Sequence, residues 1–200
     1  MPRSFGPRIA EAEVDALFLE RWSPRALSAE PIQEPTLWAL FEAARWAPSP
    51  LNDQPWLFLF AATPEHLALF RPLLVDGNSR WANAAPVLVF VCARRHFANG
   101  GKPNRAAAFA TGAAFMSLAL QARSLGLYTH PMGGFHEDAA YDVLGVPRDK
   151  FEILVAVTVS KLGDPQVLPA DLREREKPST RKPLSEVAMA GRFRESGVKL

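Results

Sequence analysis

Glu42-Ala43-Ala44-Arg45-Trp46-Ala47-Pro48-Ser49-Pro50-Leu51-Asn52-Asp53-Gln54-Pro55-Trp56 is the stretch on which the fold turns. Just upstream, Leu37, Leu40, Phe41 and Ala44 recur at the i, i+3, i+4, i+7 spacing of an amphipathic helix, which predicts a helix over 36–47. Pro35 opens that helix, and Pro48, which has no N–H to donate, stops it. Downstream, Trp56 to Ala62 reads as a short buried strand. Between helix and strand, Pro48, Pro50 and Pro55 stiffen the loop, so Asn52 and Gln54 present their amides at set positions. A carboxamide both donates and accepts, which suits the edge of a nitrogen heterocycle.

Further out, residues 65–74 form a predicted helix with Leu67, Phe70 and Leu74 on one face. Pro86 to Ala93 is a β-branched and aromatic run that predicts a strand. Residues 105–125 predict one long helix closed by Gly126. It is apolar nearly all round, which implies burial on several sides and a central place in the fold. A short strand over 127–130, a helix over 137–144 stopped by Gly145, and a strand over 151–159 follow. Strands and helices alternating in one mid-sized chain indicate an α/β or α+β domain. Beyond Gly163, Pro165, Pro169, Pro178 and Pro183 break up a charged stretch, either a loose tail or an extended arm. The apolar return at Leu184, Val187, Met189 and Phe193 favours an arm that lands on something.

Composition narrows the function classes. With 48% hydrophobic and 22% charged residues, the 200-residue chain suits a single soluble globular domain spanning 1–200. A net charge of +2 gives no global case for nucleic acid. The alternation in Arg173-Glu174-Arg175-Glu176-Lys177 reads as a solvated face. The single cysteine, Cys92, lies in an apolar run and reads as a packing residue rather than a reactive thiol. It excludes an internal disulfide framework and fits a reducing, cytoplasmic setting, as does an opening segment without an apolar signal region. Residues 106–122 carry no charge but are short for a bilayer and contain Thr111, Ser117 and Gln121, so a buried helix is expected and no membrane partner. His66, His96, His130 and His136 stand apart, without zinc-ligand spacing. No G-x-S-x-G elbow, Walker loop or G-x-G-x-x-G fingerprint occurs. An enzyme of this composition would draw its reactive group from a cofactor held in another kind of site.

Three more segments have chemistry suited to a phosphorylated flavin. Arg21-Trp22-Ser23-Pro24-Arg25 brings two guanidinium forks and a hydroxyl within five residues, as a phosphate monoester requires. Pro131-Met132-Gly133-Gly134-Phe135 follows a predicted strand, and its paired glycines let backbone N–H groups approach a flat ring without Cβ interference. Arg181-Lys182-Pro183-Leu184 supplies a late basic pair able to close over the same phosphate. Asn52 and Gln54 would then face the pyrimidine edge of the flavin.

In this order the four segments resemble the FMN-dependent nitroreductase superfamily over nearly the whole chain. Arg21, Ser23 and Arg25 match its opening Arg-x-Ser-x-Arg/Lys motif, and Glu42 to Trp56 matches its Glu-Ala-Ala-x-x-Ala-Pro-Ser-x-x-Asn-x-Gln-Pro-Trp piece. Gly133-Gly134-Phe135 and Arg181 to Leu184 complete the set. The resemblance implies an α+β fold with a central antiparallel-rich mixed sheet flanked by helices, a long central helix and an extended C-terminal arm. It implies a homodimer with shared FMN sites at the subunit interface. Arg21, Ser23 and Arg181 would hold the phosphate, with Trp22 beside them; Arg25 would lie near the flavin N1/O2 edge, and Asn52 with Gln54 on the pyrimidine side. Pro48 and Ser49 would come from the other subunit, and Pro131, Met132, Gly133 and Gly134 would supply backbone near N5. Two positions depart from the family pattern: Pro50 stands where a second Ser is common, and Met116-Ser117 replaces a frequent Gln-Asn pair.

The implied activity is transfer of electrons from NADH or NADPH through flavin N5 to a small acceptor such as a nitroaromatic or quinone. The flavin would carry the chemistry with no side-chain acid or base, and Arg25 would tune it. Two rival readings are a flavin-binding or sensing module without turnover, and a cofactor-free basic interaction protein using Arg94-Arg95 and the arm. Trp81 and Phe97 are candidates either for the acceptor pocket wall or for core filling.

Overall fold

The computed structural model describes residues 4–193. A small hairpin, β1 (Ser4–Phe5) and β2 (Arg8–Ile9), precedes α1 (Ala16–Glu20) and α2 (Glu34–Arg45). Then come β3 (Trp56–Ala61), α3 (Pro64–Phe70), α4 (Asp76–Ala82), β4 (Val87–Arg94), α5 (Ala107–Ser124) and β5 (Tyr128–Met132). The chain continues through α6 (Glu137–Leu144), β6 (Phe151–Ser160), α7 (Ala170–Arg173) and α8 (Leu184–Val187). The main sheet has the order β3-β4-β6-β5, and each of its pairings is antiparallel. This is the α+β architecture the resemblance implies, with antiparallel pairing throughout among the described residues.

Helices cover both faces of that sheet, which explains why β4 reads as an unbroken apolar run. Leu88, Phe90 and Cys92 point into a core with Leu67 and Phe70 of α3, Trp81 of α4 and Tyr141 of α6. The alternate residues Val87, Val89 and Val91 point into a second core with Leu37 and Leu40 of α2 and Ala114 and Leu118 of α5. A strand buried on both faces has no polar side to show. Burial pushes the Cys92 thiol up to about 12, so it packs as a small hydrophobe. In β6 the register slips by one residue: Cys92 faces Ile153 and Val91 faces Val155, leaving Leu154 as the extra residue of a bulge. Ile153 and Ala156 therefore share one core, while Val157 and Val159 belong to the other.

Three departures from the sequence reading have physical causes. Helix α4 was not expected, since Gly77, Asn78 and Ser79 are weak helix formers; burial of Trp81 and Ala82 holds it in place. Strand β5 runs on through Pro131, which an edge strand tolerates. The arm does land, but through Leu168 and Leu172, which are buried against the α4 side of the sheet. Leu184, Val187, Met189 and Phe193 stay exposed in the single chain. No helix among the described residues is long and apolar enough to cross a membrane, and no cluster of His, Cys, Asp and Glu among them could hold a metal.

Candidate functional site

The first polar hub is Arg8, which sequence reading missed because nothing near it in the chain announces a role. Only 6% exposed, it donates from Nε to the Ser179 carbonyl (2.8 Å) and from Nη1 to the carbonyls of Leu19 (2.7 Å) and Arg21 (2.6 Å). It thereby fastens the hairpin, the end of α1 and the arm to one another. Arg21 sits at the C-cap of α1 in extended backbone geometry, and its Nε is buried without a hydrogen-bond partner among the described residues. Burial, and then the nearby positive charges, lower the pKa of both guanidinium groups: Arg181 acts on Arg21, and Arg181 with Arg21 on Arg8. Cations crowded together with an unused donor form a site short of one anion.

Those groups open on a cleft of about 800 Å³ that gathers Arg21, Trp22, Ser23, Arg25, His130 and Arg181. The arm is held there by Glu176, whose carboxylate accepts the backbone N–H groups of Arg25 (2.9 and 3.1 Å) and Ala26 (2.8 Å). The charged run 173–177 is therefore not a plain solvated face. Glu176 clamps the arm, while Glu174, Arg175 and Lys177 line the cleft. A second clamp is Gly163, whose N–H donates to the Ala26 carbonyl (2.9 Å). A Cβ at this glycine would fall 2.5 Å from the Leu27 carbonyl oxygen, so only glycine permits the approach. Lys182 turns away and pairs with Glu186 at 3.6 Å, leaving Arg181 as the cleft's member of the late basic pair.

Behind Arg25 stand two rings. Its guanidinium lies 5.8 Å from the Trp81 ring centroid, and Trp81 in turn lies 4.4 Å from the His130 ring at an interplanar angle of 39°. His130 Nδ1 is 2.9 Å from the Pro24 carbonyl. Trp81 is thus core and cleft backing at once, whereas Phe97 does not line the cleft. After His130 on β5, Met132 buries its side chain in the core and has only its backbone to offer. Gly133 is exposed, with open space where a Cβ would go. Gly134 is needed for packing, because a Cβ there would meet the Asn78 amide at 2.8 Å and Val75 at 2.9 Å.

The loop carrying Pro48, Ser49, Asn52 and Gln54 does not line this cleft. It leads into β3, at the opposite edge of the sheet from β5. Leu51, Asn52 and Gln54 all adopt left-handed backbone, with φ of 55°, 53° and 49°. Such geometry is costly for a leucine and must be held from outside. The holding residue is Asp53, whose side chain is 4% exposed. It accepts the Ala98 N–H (2.8 Å) and the Asn104 amide (2.9 Å), and lies 3.3 Å from the Arg94 guanidinium, which also donates to the Asp53 carbonyl (2.7 Å). The Ser49 hydroxyl accepts the Gln54 N–H at 2.9 Å, closing the loop on itself. Asn52 and Gln54 remain exposed.

With this geometry established, known proteins supply the context. Residues 19–78 and 73–161 match the profile of the family described as the Nitroreductase family. A solved structure of an oxidoreductase containing FMN is 43% identical, with a TM-score of 0.92 over 96% of this chain and 98% of that one. A protein of Exiguobacterium sibiricum 255-15, solved with FMN and provisionally named a nitroreductase, shares the fold at a TM-score of 0.72 and 19% identity, over 96% of this chain and 100% of that one. A protein of Xanthomonas oryzae pv. oryzae (strain PXO99A), with the provisional name NADH dehydrogenase/NAD(P)H nitroreductase, is 31% identical over 65% of this chain and 77% of its own length.

Proposed function

This chain belongs to the nitroreductase family, and on that premise we propose that it is an FMN-dependent oxidoreductase. In this reading it moves electrons from NADH or NADPH to a small acceptor, a nitroaromatic, a quinone or a related compound, as a cytoplasmic homodimer. The observation that carries the reading is the cleft itself: Arg21 and Arg181 are crowded together, and a buried Arg21 Nε has no partner among the described residues. A phosphate monoester, dianionic and rich in acceptors, meets that deficit. The FMN reported in the 43%-identical structure supports the choice of ligand.

Bound FMN supplies the redox chemistry, taking up two electrons with a proton and giving them to the acceptor. The protein binds and orients. Arg21, Ser23 and Arg181 hold the phosphate, beside Trp22. Arg25, fixed through its N–H by Glu176 and backed by Trp81, offers a positive charge that favours an anionic reduced ring. Pro131, Met132, Gly133 and Gly134 contribute main chain where β5 ends.

A second copy of the chain would complete the site by bringing Pro48, Ser49, Asn52 and Gln54, which lie away from the cleft of their own chain. The exposed apolar surface supports an extensive self-contact: Phe109 on α5 is 79% exposed and Trp46 73%. Purified protein is expected to be yellow and dimeric, to release FMN on heating, and to oxidise NADH or NADPH when given a quinone or nitroarene. Colourless protein that refuses added FMN would sink the proposal. Yellow protein without turnover would point instead to a flavin-binding or sensing module.

A further inference from the structure

The cleft is rich in donors: guanidinium groups, an ammonium and hydroxyls converge in it. We propose that His130 Nε2, the one neutral side-chain atom of the cleft that accepts and cannot donate, receives a hydroxyl from the organic group carrying the phosphate. The cleft thereby selects a hydroxylated phosphate ester over a fully ionised oxyanion without a hydroxyl. This deepens the cofactor reading above and rests on it.

The tautomer follows from the bonding. His130 Nδ1 lies 2.9 Å from the Pro24 carbonyl oxygen, and a carbonyl only accepts, so Nδ1 carries the proton. Burial, aided by the neighbouring positive charge of Arg25, depresses the imidazole pKa to about 4, although the Pro24 carbonyl works the other way. The ring is therefore neutral in ordinary buffers, and Nε2 keeps a bare lone pair without a hydrogen-bond partner among the described residues. Trp81, at 4.4 Å, and the Pro24 carbonyl together fix the ring's orientation. Sulfate, fully ionised in ordinary buffers, cannot use this atom, because its oxygens only accept, whereas inorganic phosphate keeps a P–OH that could donate. A hydroxyl can, and the polyol chain joining the FMN phosphate to its ring is a run of hydroxyls. The remaining side-chain acceptor that cannot donate, Glu174, is an exposed carboxylate that water already satisfies.

The test uses the full chain stripped of flavin, titrated with FMN by fluorescence and with sulfate by competition. His130→Phe keeps a ring against Trp81 but removes the acceptor; it is expected to weaken FMN about tenfold and leave sulfate within about twofold. His130→Gln, which can return an oxygen near the Nε2 position, is expected to recover FMN affinity to within about threefold of wild type. In the unsubstituted protein, the His130 Nε2 nitrogen resonance is expected to move on adding FMN and to stay in place on adding sulfate. Equal losses for both ligands, unchanged FMN affinity in His130→Phe, or an unmoved nitrogen resonance would each overturn the assignment. Wild-type protein that binds sulfate but no FMN would remove the cofactor reading and this inference together.

Discussion

The cationic cleft and the loop from Pro48 to Pro55 lie at opposite edges of one sheet and are built on opposite terms. The cleft gathers side chains from the hairpin, the end of α1, β5 and the arm, and leaves bonding capacity unspent, most plainly at Arg21 Nε. The loop is one continuous segment whose anchor, Asp53, spends its carboxylate on Ala98, Asn104 and Arg94 to hold three residues in left-handed backbone. One region is incomplete without a ligand. The other is a rigid loop that holds Asn52 and Gln54 exposed, the Gln54 amide reaching only the Asn52 carbonyl (3.2 Å). Crowded cations mark where an anion binds, and a rigid, exposed loop marks what is presented to a neighbour.

Breaking the loop should give the largest effect. Asp53→Ala leaves Arg94, the buried Asn104 amide and the exposed Ala98 N–H without their carboxylate partner, at a cost of about 3 kcal/mol, or roughly 6–12 °C in Tm for a chain of this size. Calorimetry checks the stability, and FMN titration checks whether the damage reaches the cleft of the dimer. Loss of FMN affinity with inorganic phosphate binding intact would sharpen the contrast between the two regions.

Emptying the cleft comes next. Arg21→Ala removes the unpartnered guanidinium and should weaken FMN by about 2 kcal/mol, roughly 30-fold in Kd. Because Arg21 is crowded by other cations, its removal should leave Tm nearly unchanged. A Tm drop comparable to that of Asp53→Ala would show that Arg21 is a structural group and erase the distinction drawn here.

The smallest effect probes strain alone. Leu51 is 89% exposed with φ of 55°, so Leu51→Gly relieves backbone cost while losing little packing. Allowing for the greater freedom of glycine in the unfolded chain, a gain of about 0.5 kcal/mol is expected, read as a Tm rise of about 1–2 °C. A fall in Tm would mean that the Leu51 side chain is held by contacts a single chain does not contain.

What the sequence made legible was local. Residues 47–56 and 21–25 carry their chemistry within a few positions, so their motifs stand out in the sequence and carry the family resemblance. Arg8 was illegible because its partners are backbone carbonyls, one of them at Ser179, and no residue pattern encodes a bond to a distant carbonyl. The clamp at Glu176 was hidden because one acid among alternating charges looks like any other; only the folded arm brings it to Arg25 and Ala26. Gly163 carried a readable sign, a glycine just after a strand, but the tight approach to Leu27 that requires it belongs to tertiary structure. His130 stood alone in the chain and gained meaning only from Pro24 and Trp81. The apolar pattern of α5 correctly announced a central helix, whereas α4 followed from burial rather than propensity.

The bulge in β6 has a consequence for how this chain tolerates changes in length. Leu154 pairs with no residue of β4, so its deletion would close the ladder into a regular one and keep every neighbour on its own side. Loss of a residue further along, such as Val157, has no such slack. It would turn the tail of the strand over, drive Thr158 and Ser160 toward α5, and carry Gly163 off its seat beside Leu27. Within this strand, Leu154 is where a gap in a related sequence would be harmless, and the residues after it are where a gap would dismantle the cleft.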